Sequence, residues 1–448
     1  MHHDIIIAED GAKDDRCVPV SPSLPLPQVG RAAGISFHSL PPPAQFDHCG
    51  AVESLYVHIP FCASKCHYCD FFSLAGHLDQ ADAFLDAMGR EFNLQLAHFG
   101  RPAPSTIFIG GGTPTLLAPV ALERLMRMVR DFINTDRLME YTVEANPNTF
   151  DAERADVLRQ GGVNRMSFGA QSFSPAELAV LQRDHHPQSV PVAMDIARRA
   201  GIDNINLDLI FGIPGQTLAA WDRNLARAIE LNTTHLSCYG LMYEPNTPMT
   251  ARMKRGEVVP ADDDLEIAML AHTRARLAKA GFIRYEISNY ALPGKSCRHN
   301  INYWQARNHL AVGPSAAGYH SGFRWKNVPS LTRYMDALNS EHPEVPITEM
   351  EHLTGLARWG ELAILQLRLD EGIVPRTFQR RTGVDVMEIL GKIVPRYVGM
   401  GLLTLSNGAI ALTEAGVAVS DTIFADVLEA FSRPNTFPPE VPGRHGGP

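Results

Sequence analysis

The sequence predicts an α/β protein with a partial, TIM-like (β/α)6 barrel and a C-terminal α+β, winged-helix-like module. Short apolar runs rich in β-branched residues alternate with longer amphipathic segments, which indicates βαβ units and a mostly parallel sheet. Cysteine, glycine and acidic residues stand at the C-terminal ends of these runs, where such barrels hold their functional groups. The pattern changes after about residue 250, which indicates that a second unit follows the barrel.

Six strands are predicted, at residues 55–59, 106–110, 140–145, 165–169, 204–212 and 235–241. The intervening segments, such as "DAFLDAMGREFNLQLAHF" and "WDRNLARAIEL", have helical periodicity, and several begin after Asp, Ser or Pro. Right-handed crossovers between parallel strands would curl this sheet into an open barrel.

The change in composition along the chain predicts five regions. They are a Pro-rich, disordered N-terminal tail, the barrel core, an aromatic, loop-rich connecting region, a helical/winged module and a flexible C-terminal tail, at residues 1–50, 51–285, 286–344, 345–435 and 436–448. Within the module, Asn407-Gly408 between two short apolar runs predicts a β-hairpin.

Composition and charge exclude several classes of function. With 40 Lys and Arg against 49 Asp and Glu, the net charge is −9, and no basic run is present, so nucleic acid is not expected as a partner. The chain lacks an apolar run of about 18 residues and has no secretory signal in "MHHDIIIAEDGAKDD", so we expect no integral membrane segment and a cytoplasmic location. In that compartment, seven cysteines indicate metal binding or burial rather than disulfides.

Three cysteines in "LYVHIPFCASKCHYCDFFS" have the spacing C-x3-C-x2-C: Cys62, Cys66 and Cys69. A structural zinc ion needs four ligands, and His58 or His67 is available as the fourth, so zinc is one alternative. A four-iron cluster held by three cysteines leaves one iron open to bind a second molecule. The sequence favours the iron–sulfur cluster.

The cysteine motif, with Tyr68 before its last cysteine, resembles that of the radical S-adenosylmethionine (SAM) superfamily. Further motifs, among them "GGGTPT", "VEANP", "SFGAQSF", "NLDLIFGIPGQT", "HNINYW" and "LRLDEGI", are similar to those of the oxygen-independent coproporphyrinogen III oxidase family, from about residue 51 to 430. The resemblance implies a [4Fe-4S] cluster on Cys62, Cys66 and Cys69 whose open iron binds SAM. It also implies reductive cleavage of SAM to a 5′-deoxyadenosyl radical, although the sequence leaves open whether this chain uses it.

The resemblance further implies which residues contact SAM: Tyr56, Tyr68, Gly111, Gly112, Thr113, Glu144, Gln171, Arg183 and Asp208. Each has a structural alternative. The glycines fit a tight turn after a strand, the tyrosines fit ordinary packing, and Glu144 fits a buried ion pair with an arginine. Gln182 stands where the family often has glycine.

The family has two branches, and one position distinguishes them. The oxidase branch converts two propionates of coproporphyrinogen III to vinyl groups and usually carries a further cysteine two residues after the last cluster cysteine. The other branch binds haem and delivers it to haem-requiring proteins. Phe71 occupies that position here, so we expect a haem chaperone with haem or porphyrin as its ligand and haem-accepting proteins as partners; the oxidase is the alternative.

The segment "HNINYW", residues 299–304, resembles an element associated with haem binding in the chaperone branch. It implies His299 as an axial ligand of haem iron. The alternative is a polar and aromatic patch that stabilises a loop or an interdomain contact. Rival iron ligands in the sequence are His309, His320, Cys238 and Cys297.

Overall fold

The computed structural model of the chain describes residues 37–41 and 50–432. The predicted C-terminal tail and most of the predicted N-terminal tail lie outside the described residues. Within the N-terminal region, His38 donates its backbone N–H to the Ile347 carbonyl at 2.8 Å, and Phe37 and Leu40 pack against the main core. Residues 37–41 of the predicted tail therefore contact the folded protein.

The described chain contains sixteen strands. Their bounds are β1 Ser54–Ile59, β2 Phe61–Cys62, β3 Leu74–Ala75, β4 Thr106–Gly111, β5 Glu140–Ala145, β6 Arg165–Gln171, β7 Asn204–Phe211, β8 His235–Gly240, β9 Ile283–Glu286, β10 Asn289–Ala291, β11 His309–Val312, β12 Ala317–His320, β13 Phe323–Asn327, β14 Ile347–His352, β15 Leu403–Ser406 and β16 Ala409–Leu412.

Sixteen α-helices accompany these strands in the described residues. They are α1 Ala81–Phe99, α2 Pro119–Phe132, α3 Ala152–Gln160, α4 Pro175–Leu181, α5 Ser189–Arg199, α6 Leu218–Glu230, α7 Pro248–Lys254, α8 Asp263–Lys279, α9 Arg298–Trp304, α10 Leu331–Asn339, α11 Gly355–Leu367, α12 Pro375–Thr382, α13 Val386–Ile389, α14 Ile393–Gly399, α15 Glu414–Ala418 and α16 Ser420–Ser432. In this part of the chain, no helix has the length and apolar character needed to cross a membrane.

The six predicted strands are β1, β4, β5, β6, β7 and β8, and they lie side by side in that order, all parallel. Side chains alternate across the sheet: Leu55, Val57 and Ile59 of β1 pack in the main core beneath the helices, whereas Tyr56 and His58 face the other side. The fold prediction of a mostly parallel sheet with covering helices, consistent with a partial barrel, is confirmed.

The sheet continues beyond the six strands at both edges to a total of twelve. Strands β10 and β9 add antiparallel next to β8, while β11 pairs parallel with β1 and is followed by β12, β13 and β14. The region expected to be loop-rich, 286–344, thus supplies four sheet strands. Their three to five residues are too short for alternating hydrophobicity to stand out in the sequence.

The C-terminal module has a hydrophobic core of its own, which includes Leu362, Phe378, Tyr397 and Phe431. Its hairpin β15–β16 turns at Asn407 and Gly408, whose φ values are 53° and 75°, as a two-residue turn of the predicted kind requires. The module is predicted to begin at residue 345, but β14, the first element after that residue, belongs to the large sheet. The first helix of the module is α11. The proposed domain boundaries themselves stay a prediction.

Candidate functional site

The three cysteines lie close to the C-terminal end of β1: Cys62 is the last residue of β2, and Cys66 and Cys69 lie on the loop between β2 and β3. The loop is held in place by main-chain hydrogen bonds from His67 N–H to the Leu181 carbonyl at 3.3 Å and from Met249 N–H to the His67 carbonyl at 2.8 Å. The Lys65 ammonium group donates to the Phe71 carbonyl at 2.6 Å. The loop is therefore fixed to α4 and α7, with its cysteines half-buried at the mouth of the barrel.

The thiols are free and have polar neighbours. The Thr113 hydroxyl lies 3.7 Å from Cys62 Sγ, and the Arg183 guanidinium donates to Cys66 Sγ at 3.3 Å. Burial raises the pKa of Cys62 and raises that of Cys69 to about 11. A cationic iron–sulfur cluster would offset this cost of ionisation, because thiolates bind metal and release their protons. The donor set fits a cluster.

A mononuclear zinc site fits the structure less well. His58 already uses both ring nitrogens, and His67 Nδ1 lies 3.4 Å from the Arg252 guanidinium. Among the residues that the structure describes, no group of three or more His, Cys, Asp or Glu side chains converges to hold one ion. A four-iron cluster takes one thiolate on each of three irons, so its ligands need not converge on a point.

The glycine turn follows β4. Gly111 has a φ of 101°, and a Cβ there would overlap the His58 ring; a Cβ on Gly112 would lie 2.5 Å from the Phe61 carbonyl oxygen. The N–H groups of Gly112 and Thr113 donate to the carbonyls of Ile59 and Phe61, both at 2.7 Å. The turn therefore needs glycine for its own packing. The Thr113 carbonyl oxygen already accepts the Leu116 N–H at 2.9 Å.

Two half-buried carboxylates face the barrel interior, Glu144 on β5 and Asp208 on β7. Burial and the charge of Asp208 raise the pKa of Glu144 to about 8, against a hydrogen bond from Gly111 N–H at 3.1 Å and the positive charge of Arg165. Burial also raises the pKa of Asp208, which accepts hydrogen bonds from Asn206 at 2.8 Å and Ser167 at 3.2 Å. Such carboxylates favour hydroxyl or cationic ligands, so they fit the predicted SAM site.

The arginine expected as the structural partner of Glu144 is present only at a distance. Arg165 lies fully buried on β6, donates to the Thr142 hydroxyl at 3.4 Å, and lowers the pKa of both Glu144 and Asp208 by its charge. Arg165 is not among the site residues predicted from the sequence, although a charged residue at the start of the predicted strand "RMSFG" is a visible signal.

The remaining predicted SAM contacts lie around the same mouth. Gln171 ends β6 at a bulge with a φ of 60°, and the Arg183 guanidinium also donates to the Gly169 carbonyl at 2.7 Å. Tyr68 packs beside the small apolar cluster that includes Leu181 and Met249. The structure thus brings all the predicted SAM-contact residues to one end of the barrel.

Two departures from the family pattern have visible structural settings. Gln182 has a φ of 56° at the C-terminal end of α4, the left-handed conformation in which glycine is the least strained residue. Phe71, in place of the oxidase cysteine, projects its side chain into solvent with 67% of its surface exposed. The rim of the mouth therefore presents an aromatic ring where the oxidase branch has a thiol.

His299 lies at the opposite end of the barrel. Ser54, Thr106 and Glu140 form one row across the N-terminal ends of β1, β4 and β5, and all three contact α9. His299 Nδ1 lies 2.9 Å from the Thr106 hydroxyl, and the Glu140 carboxylate accepts the His299 N–H at 3.0 Å. With 1% of its surface exposed, His299 is a packing residue of a helix that closes this end.

Ligation of haem iron by His299 would require α9 to leave the barrel, so that role remains a prediction, and the observed contacts support the structural alternative. The rival iron ligands His320, Cys238 and Cys297 are also buried. His309 Nδ1 lies 3.1 Å from the Arg307 carbonyl oxygen.

Comparison with known proteins supports this description. The radical SAM superfamily profile matches residues 56–228, and the HemN C-terminal domain profile matches residues 353–419. The chain is 33% identical to "Heme chaperone HemW" of Bacillus subtilis over 84% of this chain and 99% of that protein. It is 41% identical to "Heme chaperone HemW" of Escherichia coli over 59% of this chain and 69% of that protein.

Among solved structures, coproporphyrinogen III oxidase (HemN) from Escherichia coli, described as a radical SAM enzyme, superimposes with a TM-score of 0.73. The two chains are 23% identical, and the match covers 85% of this chain and 90% of the oxidase. At that identity the likeness establishes a common fold.

Proposed function

This chain belongs to the heme chaperone HemW family within the radical SAM superfamily, and on that premise we propose that it binds haem and transfers it to haem-requiring proteins. Curated relatives of that name align with nearly the whole length of their own chains. Haem is the ligand in this proposal, haem-accepting proteins are the partners, and the cytoplasmic location predicted from the sequence belongs to the proposal as well.

The choice of the chaperone branch over the oxidase branch depends on one residue, Phe71. Its ring is exposed beside the cysteine loop, at the position where the oxidase branch usually has a cysteine. A phenyl ring can neither ligate iron nor transfer a proton, so Phe71 cannot supply the chemistry of a thiol at this position. Phe71 therefore supports the chaperone over the oxidase, whose fold the chain shares.

We assign the [4Fe-4S] cluster to Cys62, Cys66 and Cys69, with its open iron available to SAM. When bound, the cluster supplies the electron for reductive cleavage of SAM. The protein contributes the surroundings. Arg183 donates to Cys66 Sγ and places a positive charge beside the cluster, while the Thr113 hydroxyl lies near Cys62 Sγ. Donors and cations near cluster sulfurs favour the reduced state.

The SAM contacts are assigned by what each group accepts or donates. Glu144 and Asp208 supply half-buried carboxylate oxygens for hydroxyl or ammonium groups, and the glycine turn at Gly112 and Thr113 lets a ligand approach the main chain. Arg183, with Gln171 nearby at the end of β6, supplies the donors that a carboxylate requires. Tyr56 and Tyr68 flank these groups and exclude water from the cluster.

The test is an anaerobic assay of the reconstituted, reduced protein in two parallel arms. One arm supplies SAM and coproporphyrinogen III and follows 5′-deoxyadenosine and decarboxylated product by mass spectrometry. The other supplies haem and an apo haem protein and follows the absorbance of the acceptor. Haem transfer without decarboxylation is the expected result. Stoichiometric decarboxylation would overturn the chaperone assignment and make the chain an enzyme of haem synthesis.

A further inference from the structure

Three arginines gather at the seam between the barrel and the C-terminal module: Arg307 after α9, Arg358 on α11 and Arg381 on α12. We call them the arginine cluster. Arg307 and Arg381 are exposed, so a ligand in solvent can reach them. The cluster lies on the outside of the barrel, at the end opposite the cysteine loop.

Two of the three guanidinium groups meet at the C-terminal end of α9. Arg381 donates to the main-chain carbonyl of Gln305 and, at 2.7 Å, to that of Ala306. Arg307 Nε donates to the side-chain oxygen of Gln305 at 2.8 Å. Both arginines are therefore positioned by neutral amide oxygens, and their charge is not offset by these contacts.

The third arginine, Arg358, is connected to the other two by contacts with residues of β12 and β11. Arg358 Nε donates to the Tyr319 hydroxyl at 3.2 Å. The Tyr319 ring stacks on the His309 ring with their centres 5.9 Å apart, and His309 in turn contacts the Arg307 carbonyl. A continuous set of contacts thus holds the three arginines around one patch of surface.

A nearby arginine shows the contrast. Arg324 on β13 pairs with two carboxylates, Glu351 at 2.5 Å and Glu361. Arg307 and Arg381 instead donate to the neutral amide oxygens of Gln305 and Ala306. Although Arg381 is exposed as a residue, partial burial of its guanidinium group lowers its pKa, and the like charges of Arg307 and Arg358 lower it further, against the opposing effect of Tyr319. Holding like charges together costs free energy, which an anion bound between them would recover.

We propose that the arginine cluster binds the two propionate carboxylates of haem. Arginine is the side chain best suited to this task, because its planar fork matches a carboxylate with two parallel hydrogen bonds. The half-buried Trp359, on which Arg358 stacks at 4.9 Å, adds aromatic surface beside the cluster. The inference rests on the proposed function, which supplies haem as the ligand, and it assigns the part of the surface where haem docks.

The experiment compares haem with haem dimethyl ester, in which both carboxylates are masked, by titrating the full-length protein and following the Soret band. The wild type should bind haem more tightly than the ester. Arg307→Gln and Arg381→Gln should each weaken haem binding by about tenfold or more and leave ester binding unchanged, since each removes a charge-assisted hydrogen bond. Arg380→Gln is the matched control, because Arg380 is exposed on the same helix and contacts Thr377.

The outcomes separate this inference from the function on which it rests. Equal binding of haem and ester by the wild type, or unchanged haem binding in both variants, overturns the arginine cluster as the haem site. Slowed transfer to an acceptor with unchanged haem binding overturns it too, in favour of an acidic partner surface. A wild type that binds neither haem nor ester overturns the proposed function itself. Should Arg381→Gln unfold, Arg307→Gln still decides, because Arg307 donates only to a side chain in the contacts described above.

Discussion

The Tyr56 hydroxyl oxygen lies 3.0 Å from Nδ1 of His58, and His58 Nε2 lies 2.8 Å from the Phe72 carbonyl oxygen. A carbonyl only accepts, so Nε2 carries the proton and Nδ1 accepts the hydrogen bond from Tyr56. Burial lowers the pKa of His58 to about 4, which keeps the ring neutral. His58 thus connects β1 to the cysteine loop through Phe72. Its ring also packs against the glycine turn, because Gly111 has no Cβ to overlap it.

Replacing His58 should loosen the cysteine loop. We expect His58→Ala to lose iron and sulfide on reconstitution, because it removes the hydrogen bond to Phe72 and opens a cavity beside Gly111. His58→Gln, which retains a donor of similar length, should recover most of the cluster. Iron and sulfide analysis with the cluster absorbance measures both, and His77→Ala, at an exposed position after β3, is the control. Full cluster content in His58→Ala would contradict the positioning role.

Removing the charge at Arg183 should lower the reduction potential of the cluster. Its guanidinium donates to Cys66 Sγ, and losing a hydrogen bond and a positive charge destabilises the reduced state. We expect Arg183→Gln to shift the midpoint by on the order of 50 mV to more negative values, the equivalent of about one hydrogen bond. Potentiometric titration followed by electron paramagnetic resonance checks this shift. The exposed Arg199→Gln should leave the midpoint unchanged.

Glu144 should make the cofactor-free protein less stable as the pH rises. Its pKa is about 8 in the folded protein against an ordinary value of 4.5 for glutamate, so between these values the folded state holds a proton that the unfolded state has lost. Folding stability from this group therefore falls as pH rises from about 4.5 to 8. Glu144→Gln does not titrate, so its unfolding free energy should exceed that of the wild type by on the order of 2 kcal/mol near pH 9.

Denaturant unfolding of the two cofactor-free proteins at several pH values measures this difference. The gain should vanish near pH 4.5, and the exposed Glu153→Gln should show none at any pH. The same Glu144→Gln variant should bind SAM more weakly after reconstitution, since it loses an anionic acceptor. A difference in stability that does not grow with pH would contradict the buried-carboxylate account.

Gln182→Gly should stabilise the protein. Gln182 has a φ of 56°, a conformation that costs a residue with a Cβ about 1 kcal/mol relative to glycine. The gain is reduced by the loss of the hydrogen bond from the Gln182 side chain to the Ala179 carbonyl. Thermal unfolding should show a higher Tm for this variant, whereas Gln188→Gly, at a φ of −69°, should lower it.

His299→Gln distinguishes the two roles considered for that residue. If His299 is a packing residue of α9, the variant unfolds more readily by on the order of 1 to 2 kcal/mol and keeps its affinity for haem. That is the result we expect from its contacts with Thr106 and Glu140. A lost or shifted Soret band at unchanged stability would instead establish His299 as an iron ligand.

The sequence predicted those features whose signal is local. Each of the six parallel strands has its own apolar run, and the hairpin at Asn407-Gly408 has its own turn residues. The cysteine spacing lies within eight residues, so the cluster motif needs no tertiary information. Phe71 stands two residues after Cys69, so the position that distinguishes the two branches can also be identified from a short stretch of sequence.

Other features depend on which distant residues meet. The strands from residue 283 to 352 are too short to identify by periodicity, and pairing with the edges of the sheet is what stabilises them. Arg165 lowers the pKa of Glu144 and Asp208, and this effect depends on how close the sheet brings its own strand to theirs.

By itself, then, the sequence determined the barrel, the cysteine motif and the family, because these depend on short-range patterns of residue type. Only the tertiary structure placed α9 in the closed end of the barrel, with Glu140 bound to its first N–H groups, and brought Arg307, Arg358 and Arg381 together. The position of α9 and the arginine cluster both depend on contacts between residues far apart in the chain. The free energy of such contacts depends on the distance between the groups and on their burial, which a short stretch of sequence does not specify.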